Sequence, residues 1–162
     1  MLLFVFCFAE CHKYTPPPAD NPYGLPNATQ TGANTMGCLI NGVPTILQSN
    51  IPPLPSPSAT ILGDTLLQIG GRASTSYYQF LAFNIRNPMV GNFQILPDML
   101  LSYGAYITLT NWEYISSGVL NITKLDKVHH IVSGTFSCKI PVPNSDSLNV
   151  TDGRFDISLY TN

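Results

Sequence analysis

Charge is what this sequence has least of. Only 10% of its 162 residues are Asp, Glu, Lys or Arg, against about 25% in ordinary globular domains. No two basic residues are adjacent and the net charge is −2, so the electrostatic footprint of a nucleic-acid binder is missing and no nucleic-acid partner is expected. The nine carboxylates are scattered, mostly at turn-like positions. The nearest pair in the late sequence, Asp152 and Asp156, lies about 13 Å apart on an extended strand, too far for the paired carboxylates of a glycosidase. Motifs that announce chemistry are also missing: no C-x-x-C, no H-E-x-x-H, no acidic calcium loop and no G-x-S-x-G elbow. His129 and His130 are neighbours, and on a strand they would point to opposite faces and fail to share a metal. The expectation is a non-enzymatic chain without metal or cofactor.

Long apolar runs are scarce as well. The longest, LLFVFCFA (residues 2–9), is too short to span a hydrocarbon core of about 30 Å. It has the length of a signal-peptide core, though no Lys or Arg precedes it and Glu10 stands where a small residue is usual. Residues 1–10 are therefore read as a signal-like segment. Ten of the fourteen prolines fall between 14 and 60, and proline cannot donate to the middle of a sheet. Residues 11–33 read as a Pro-rich tether, with 49–59 as a long loop.

What remains is patterned with period two, and nothing in it has convincing helical period. Met36–Ile40 and Val43–Leu47 flank Asn41-Gly42, the pair that suits a tight hairpin. Leu67 and Ile69 share one strand face; so do Leu81, Phe83 and Ile85, on a strand expected to be central. Residues 106–114 read as one strand, 119–140 as a hairpin turning near Asp126-Lys127. In 153–160, Phe155, Ile157 and Leu159 point inward while Arg154, Asp156, Ser158 and Tyr160 point outward. Gly134 reads as a bulge or close approach, and Asp152-Gly153 as a turn that launches the last strand. The predicted fold is mainly β: a single antiparallel β-sandwich over residues 34–162, or alternatively a small β-barrel.

Three stretches taken together, TGANTMGCLING (31–42), ITKLDKVHHIVSGTF (122–136) and VTDGRFDI (150–157), resemble a family of Bacteroidota lipoproteins of unknown function. The resemblance implies an exported, lipid-anchored β domain and no particular activity. On that footing FAEC at 8–11 serves as a lipobox. Cys11 becomes the acylated N-terminus and Cys7 leaves with the signal, so the membrane is a partner through the lipid. The absence of an acidic run after Cys11 points to the outer membrane, facing the periplasm. Cys38 and Cys138 would then sit in an oxidising compartment, either as a disulfide or as two small buried hydrophobes. For binding, the aromatics stand out. Trp112 and Tyr114 are two apart, with Tyr103 and Tyr106 just before, a set that suits stacking on a sugar, a contact with a protein or a cover for the core. Other functional classes follow from the fold alternatives: a barrel carrying a small lipophilic ligand, or a hydrolase without a recognisable motif.

Overall fold

Among the described residues every regular element is a strand. They are, in this computed structural model, residues 21, 23–48, 56–73, 80–96, 102–107, 112–142 and 145–161. The strands are β1 (Thr35–Ile40), β2 (Val43–Ile46), β3 (Ser58–Leu62), β4 (Leu66–Arg72), β5 (Phe80–Arg86), β6 (Gly91–Ile95), β7 (Ser102–Ile107), β8 (Trp112–Tyr114), β9 (Ser117–Asp126), β10 (Ile131–Val142) and β11 (Ser145–Thr161). They form one continuous sheet in the order β6-β9-β10-β11-β3-β4-β5-β7-β8, with β1 and β2 attached to β11 as a branch. The sheet curls into a half-barrel. The mainly β architecture expected from the alternation is present, and one pairing, β11 with β3, is parallel.

The curl follows from the length of β11. Its 17 residues outrun any single neighbour. One edge pairs with β10 from Ser145 to Ser158; the other pairs first with β1 (Ile40↔Val150 to Thr35↔Asp156) and then with β3 (Leu159↔Ala59 to Thr161↔Ile61). Register shifts interrupt the ladders with β10 and β1 near residues 151–153, and Asp152 takes the left-handed conformation at φ 51°. An extra residue in one strand bends it and tightens the local twist. Asp152-Gly153, expected as a turn opening the last strand, is thus a bulge inside β11. Asp152 meets the demand for a positive φ, and the hydrogen-bonding partners on both sides keep the strand going.

The inner faces of the two halves meet in one core, in which Met36, Leu67, Leu81, Phe83, Ile85, Leu120, Ile122, Val132 and Ile157 are at most 1% exposed. Burying each large apolar side chain stabilises by about 1.5–3 kcal/mol. Phe136 sits at the centre, its ring 5.0 Å from that of Phe83 and 6.5 Å from that of Phe155. Two Gly-x-Phe sequences explain how it fits. Gly134-Thr135-Phe136 on β10 pairs with Gly153-Arg154-Phe155 on β11, so that each phenylalanine stands opposite the other's glycine. Each ring lies over the glycine opposite, and a Cβ there would run into it. The SGTF and DGRF segments are one reciprocal packing unit, which accounts for their matching spacing.

Several local expectations hold. Asn41 and Gly42, at φ 49° and 80°, make the tight β1–β2 turn. Leu67, Ile69, Leu81, Phe83 and Ile85 point inward, and β5 lies between β4 and β7. Others change. Residues 106–114 are not a single strand: Ile107↔Trp112 to Ala105↔Tyr114 pair as a hairpin, with 108–111 outside the described residues. His129 and His130 lie in the four-residue turn 127–130, not on a strand. Asp126 caps that turn by accepting from the backbone N–H groups of Val128 and His129. The tether ends earlier than predicted. Leu25 is buried, and residues 29–33 are hydrogen-bonded across the sheet. The loop expected over 49–59 gives way to β3 at Ser58, while 49–55 lies outside the described residues.

Candidate ligand groove

The outer face of the β6-β9-β10-β11 half carries a polar row. Asn92 on β6 stands opposite Asn121 on β9, Asn121 opposite Thr135 on β10, and Thr135 opposite Arg154 on β11. A second row, two residues along, brings Gln94 opposite Val119 and Val119 opposite Ser137. These positions face outward because their neighbours Leu120, Ile122, Phe136 and Phe155 are committed to the core, and side chains alternate along a strand. Across the rows runs an open groove of about 450 Å³, lined by Ala28, Asn92, Val119, Asn121, Thr135, Phe136, Ser137, Asp152, Gly153 and Arg154. That volume falls within the range of about 300–1,000 Å³ usual for small-ligand sites.

One wall of the groove is the chain itself. Residues 27–34 cross the outer face as a strap, and what pins them is Asp156. This residue points outward on β11 as its alternation predicts, yet it is fully buried because the strap covers it. Its Oδ2 accepts from Thr29 Oγ1 at 2.6 Å, Thr31 N at 3.0 Å, Thr31 Oγ1 at 3.2 Å and Ala33 N at 3.2 Å; its Oδ1 accepts from Gly32 N at 2.8 Å and Ser133 Oγ at 2.7 Å. Burial alone would raise the pKa of this carboxyl. The hydrogen bonds to its charged form, from Thr29 and Ser133 foremost and then the strap amides, outweigh that and hold it well below the usual carboxylate range. Lys124 Nζ adds a bond to the Gln30 carbonyl at 3.0 Å, and Asn34 Oδ1 accepts from Ser158 N at 2.8 Å. The three stretches quoted from the sequence meet at this point: Thr31-Gly32-Ala33 from the first, Ser133-Gly134 from the second, Phe155-Asp156 from the third. Ala28 of the strap then faces the groove.

The groove's own polar groups are differently placed. Among the described residues the side chains of Asn92, Asn121, Thr135 and Ser137 make no hydrogen bond to the protein. Arg154 donates only from Nε, to the Asp152 carbonyl at 3.3 Å. Asp152 and Arg154 bring one charge of each sign. Among the described residues no hydroxyl of the groove is hydrogen-bonded to a His or a carboxylate, and no group of three His, Cys, Asp or Glu could hold a metal ion. Elsewhere, the exposed pair His129 Nδ1–Asp126 Oδ2, at 2.8 Å, belongs to the turn cap.

The residues singled out from sequence fare unevenly. Cys11 lies outside the described residues. Cys38 and Cys138 do not form the bridge considered for them: both are free, buried thiols. They sit on β1 and β10, the strands flanking β11, so their backbones are separated by about twice the 4.8 Å strand spacing, beyond the reach of a disulfide. Burial pushes the thiols of both up to about 12, with the nearby Cys38 adding to the rise at Cys138. Tyr114 is exposed on β8. The backbones of Tyr103, Tyr106 and Trp112 are in strands, but their side chains lie outside the described residues. Tyr114, the one whose side chain is described, is not among the residues lining the groove. No single stretch of sequence announces it, because its lining comes from four strands and the strap. Compared with known proteins, the chain matches no family model, no curated protein and no solved structure.

Proposed function

We propose that this chain is a lipid-anchored envelope domain that binds a ligand rather than transforming one, with the groove on the outer face of β6-β9-β10-β11 as its site. The observation that carries this reading is the groove itself, where the register gathers Asn92, Asn121, Thr135 and Ser137 on one outward face. Among the described residues the buried polar groups are used within the protein, most conspicuously around Asp156, and no buried side-chain nitrogen or oxygen lacks a partner. Cys11 serves as the acylation site in this reading, on the strength of FAEC and of the resemblance to Bacteroidota lipoproteins, and the domain faces the periplasm from the outer membrane. The alternative of a lipophilic carrier has less support, because the inner face is occupied by Phe83, Phe136, Phe155 and their aliphatic neighbours.

Two measurements test the proposal. Mass spectrometry of the membrane-extracted protein from its host is expected to show acyl chains on Cys11 and to lose them, with membrane retention, in Cys11→Ala. A ligand screen of the full chain, followed by amide resonances, is expected to shift residues of β6, β9 and β10 together. Ligands that shift only other regions, or a soluble unacylated wild type, would refute the corresponding half.

A further inference from the structure

We infer that the groove's ligand is a neutral saccharide; this rests on the binding reading above and narrows it to one chemical class. Side-chain amides and hydroxyls dominate the polar lining. An amide offers both a carbonyl acceptor and N–H donors, and a hydroxyl is donor and acceptor at once. Sugar hydroxyls have the same dual character, so a surface of Asn92, Asn121, Thr135 and Ser137 can satisfy them in either sense. The register sets these groups on a grid of about 4.8 Å across strands and 6.7 Å along them, which presents several partners to one rigid, hydroxyl-bearing ring. Among the described residues, none of the four side chains has a partner in the protein.

Charge argues in the same direction. Among the described residues Asp152 and Arg154 are the groove's charged residues and they are of opposite sign. A phosphorylated, sulfated or uronic ligand would profit from an excess of cations, which the groove lacks. The pair instead suits adjacent hydroxyls, one donating to the carboxylate and one accepting from the guanidinium. A peptide is the weaker fit, because extended peptides gain affinity from backbone bonds along a sheet edge, whereas Asn121, Thr135 and Ser137 lie on the face of β9 and β10, both paired on each side. The apolar Val119 and Ala28 at the walls give the C–H face of a ring something to rest on.

The test uses the full chain and soluble neutral oligosaccharides derived from glucan, mannan, galactan and xylan. Polygalacturonate, heparin and a peptide library serve as comparators. At least one neutral oligosaccharide is expected to shift the side-chain amide resonances of Asn92 and Asn121 saturably, with an affinity little changed as salt rises from about 0.1 to 0.5 M, since no ion pair is being screened. Asn121→Ala and Thr135→Ala are each expected to weaken that binding by at least about tenfold, because a site built around hydroxyls loses paired groups when one partner goes. Their melting temperatures should stay at the wild-type value, as both side chains are outside the core. Binding by the neutral oligosaccharides that survives both substitutions unchanged overturns the assignment. Groove shifts caused only by the charged polymers or peptides also overturn it while leaving the binding reading intact. Failure of every probe to move the groove overturns both.

Discussion

Replacing Asp156 by Asn is the sharpest perturbation available, because it preserves shape and removes only the charge and one acceptor. Six hydrogen bonds converge on the two carboxylate oxygens, three from strap backbone amides and three from hydroxyls. Whichever way the Asn amide is turned, its NH₂ group faces at least two donors that previously had an acceptor. Breaking a buried charged network of this kind costs about 3–5 kcal/mol, a large share of the 5–15 kcal/mol that holds a typical domain together. In a chain of this size, that corresponds to a fall in Tm of about 6–20 °C. The pH dependence carries a second signature. The folded-state pKa of Asp156 is depressed, so its stabilisation is fully present above the unfolded value near pH 4 and is lost as pH falls from there toward the lower folded value. Over that window wild type loses about 1.4 kcal/mol per pH unit from this one group, and Asp156→Asn loses nothing from it. Urea unfolding of both proteins at neutral pH, pH 4 and pH 3 measures the gap, which should be constant down to about pH 4 and then narrow. A destabilisation below about 1 kcal/mol at neutral pH, or a gap that stays constant into acid, would refute the role given to the carboxylate.

Gly134→Ala is expected to destabilise by about 1–3 kcal/mol or more, since a Cβ there meets both the Asn121 carbonyl and the Phe155 ring; chemical denaturation measures it, and a neutral effect would break the reciprocal packing. Cys38 and Cys138, whose thiols are raised to about 12, should resist alkylation in the native protein at pH 8 and label fully on unfolding without reductant, as read by peptide mass spectrometry; a disulfide-linked peptide pair would contradict this. Asp126→Ala removes the acceptor for two backbone amides in the turn 127–130, so hydrogen exchange at Val128 and His129 should accelerate while β10 stays protected.

The two hairpins and the inward faces could be read from sequence because each depends on near neighbours: Asn41-Gly42 on its own backbone, and Leu81, Phe83 and Ile85 on alternation. The strap could not. It contains little apolar periodicity, and hydrogen bonds to one distant carboxylate hold it in place, so proline content was the stronger local signal and it suggested a tether. His129 and His130 illustrate a similar limit. Nothing local to the pair distinguishes a strand end from a wide turn, and the cap by Asp126 decides. The groove was the least visible. Asn92, Asn121, Thr135 and Arg154 each look like an ordinary outward strand residue until the register aligns them.

β11 is also the strand made after the others, and this has a consequence for biogenesis. β1, β3 and β10 all depend on it for a neighbour, and Asp156 must meet a segment more than a hundred positions earlier. Until β11 emerges, the nascent chain holds hairpins without a shared core and a strap without its anchor. Such long-range closure folds slowly, so commitment to the native state waits for β11. Up to that moment the chain stays loose enough for a chaperone to hold.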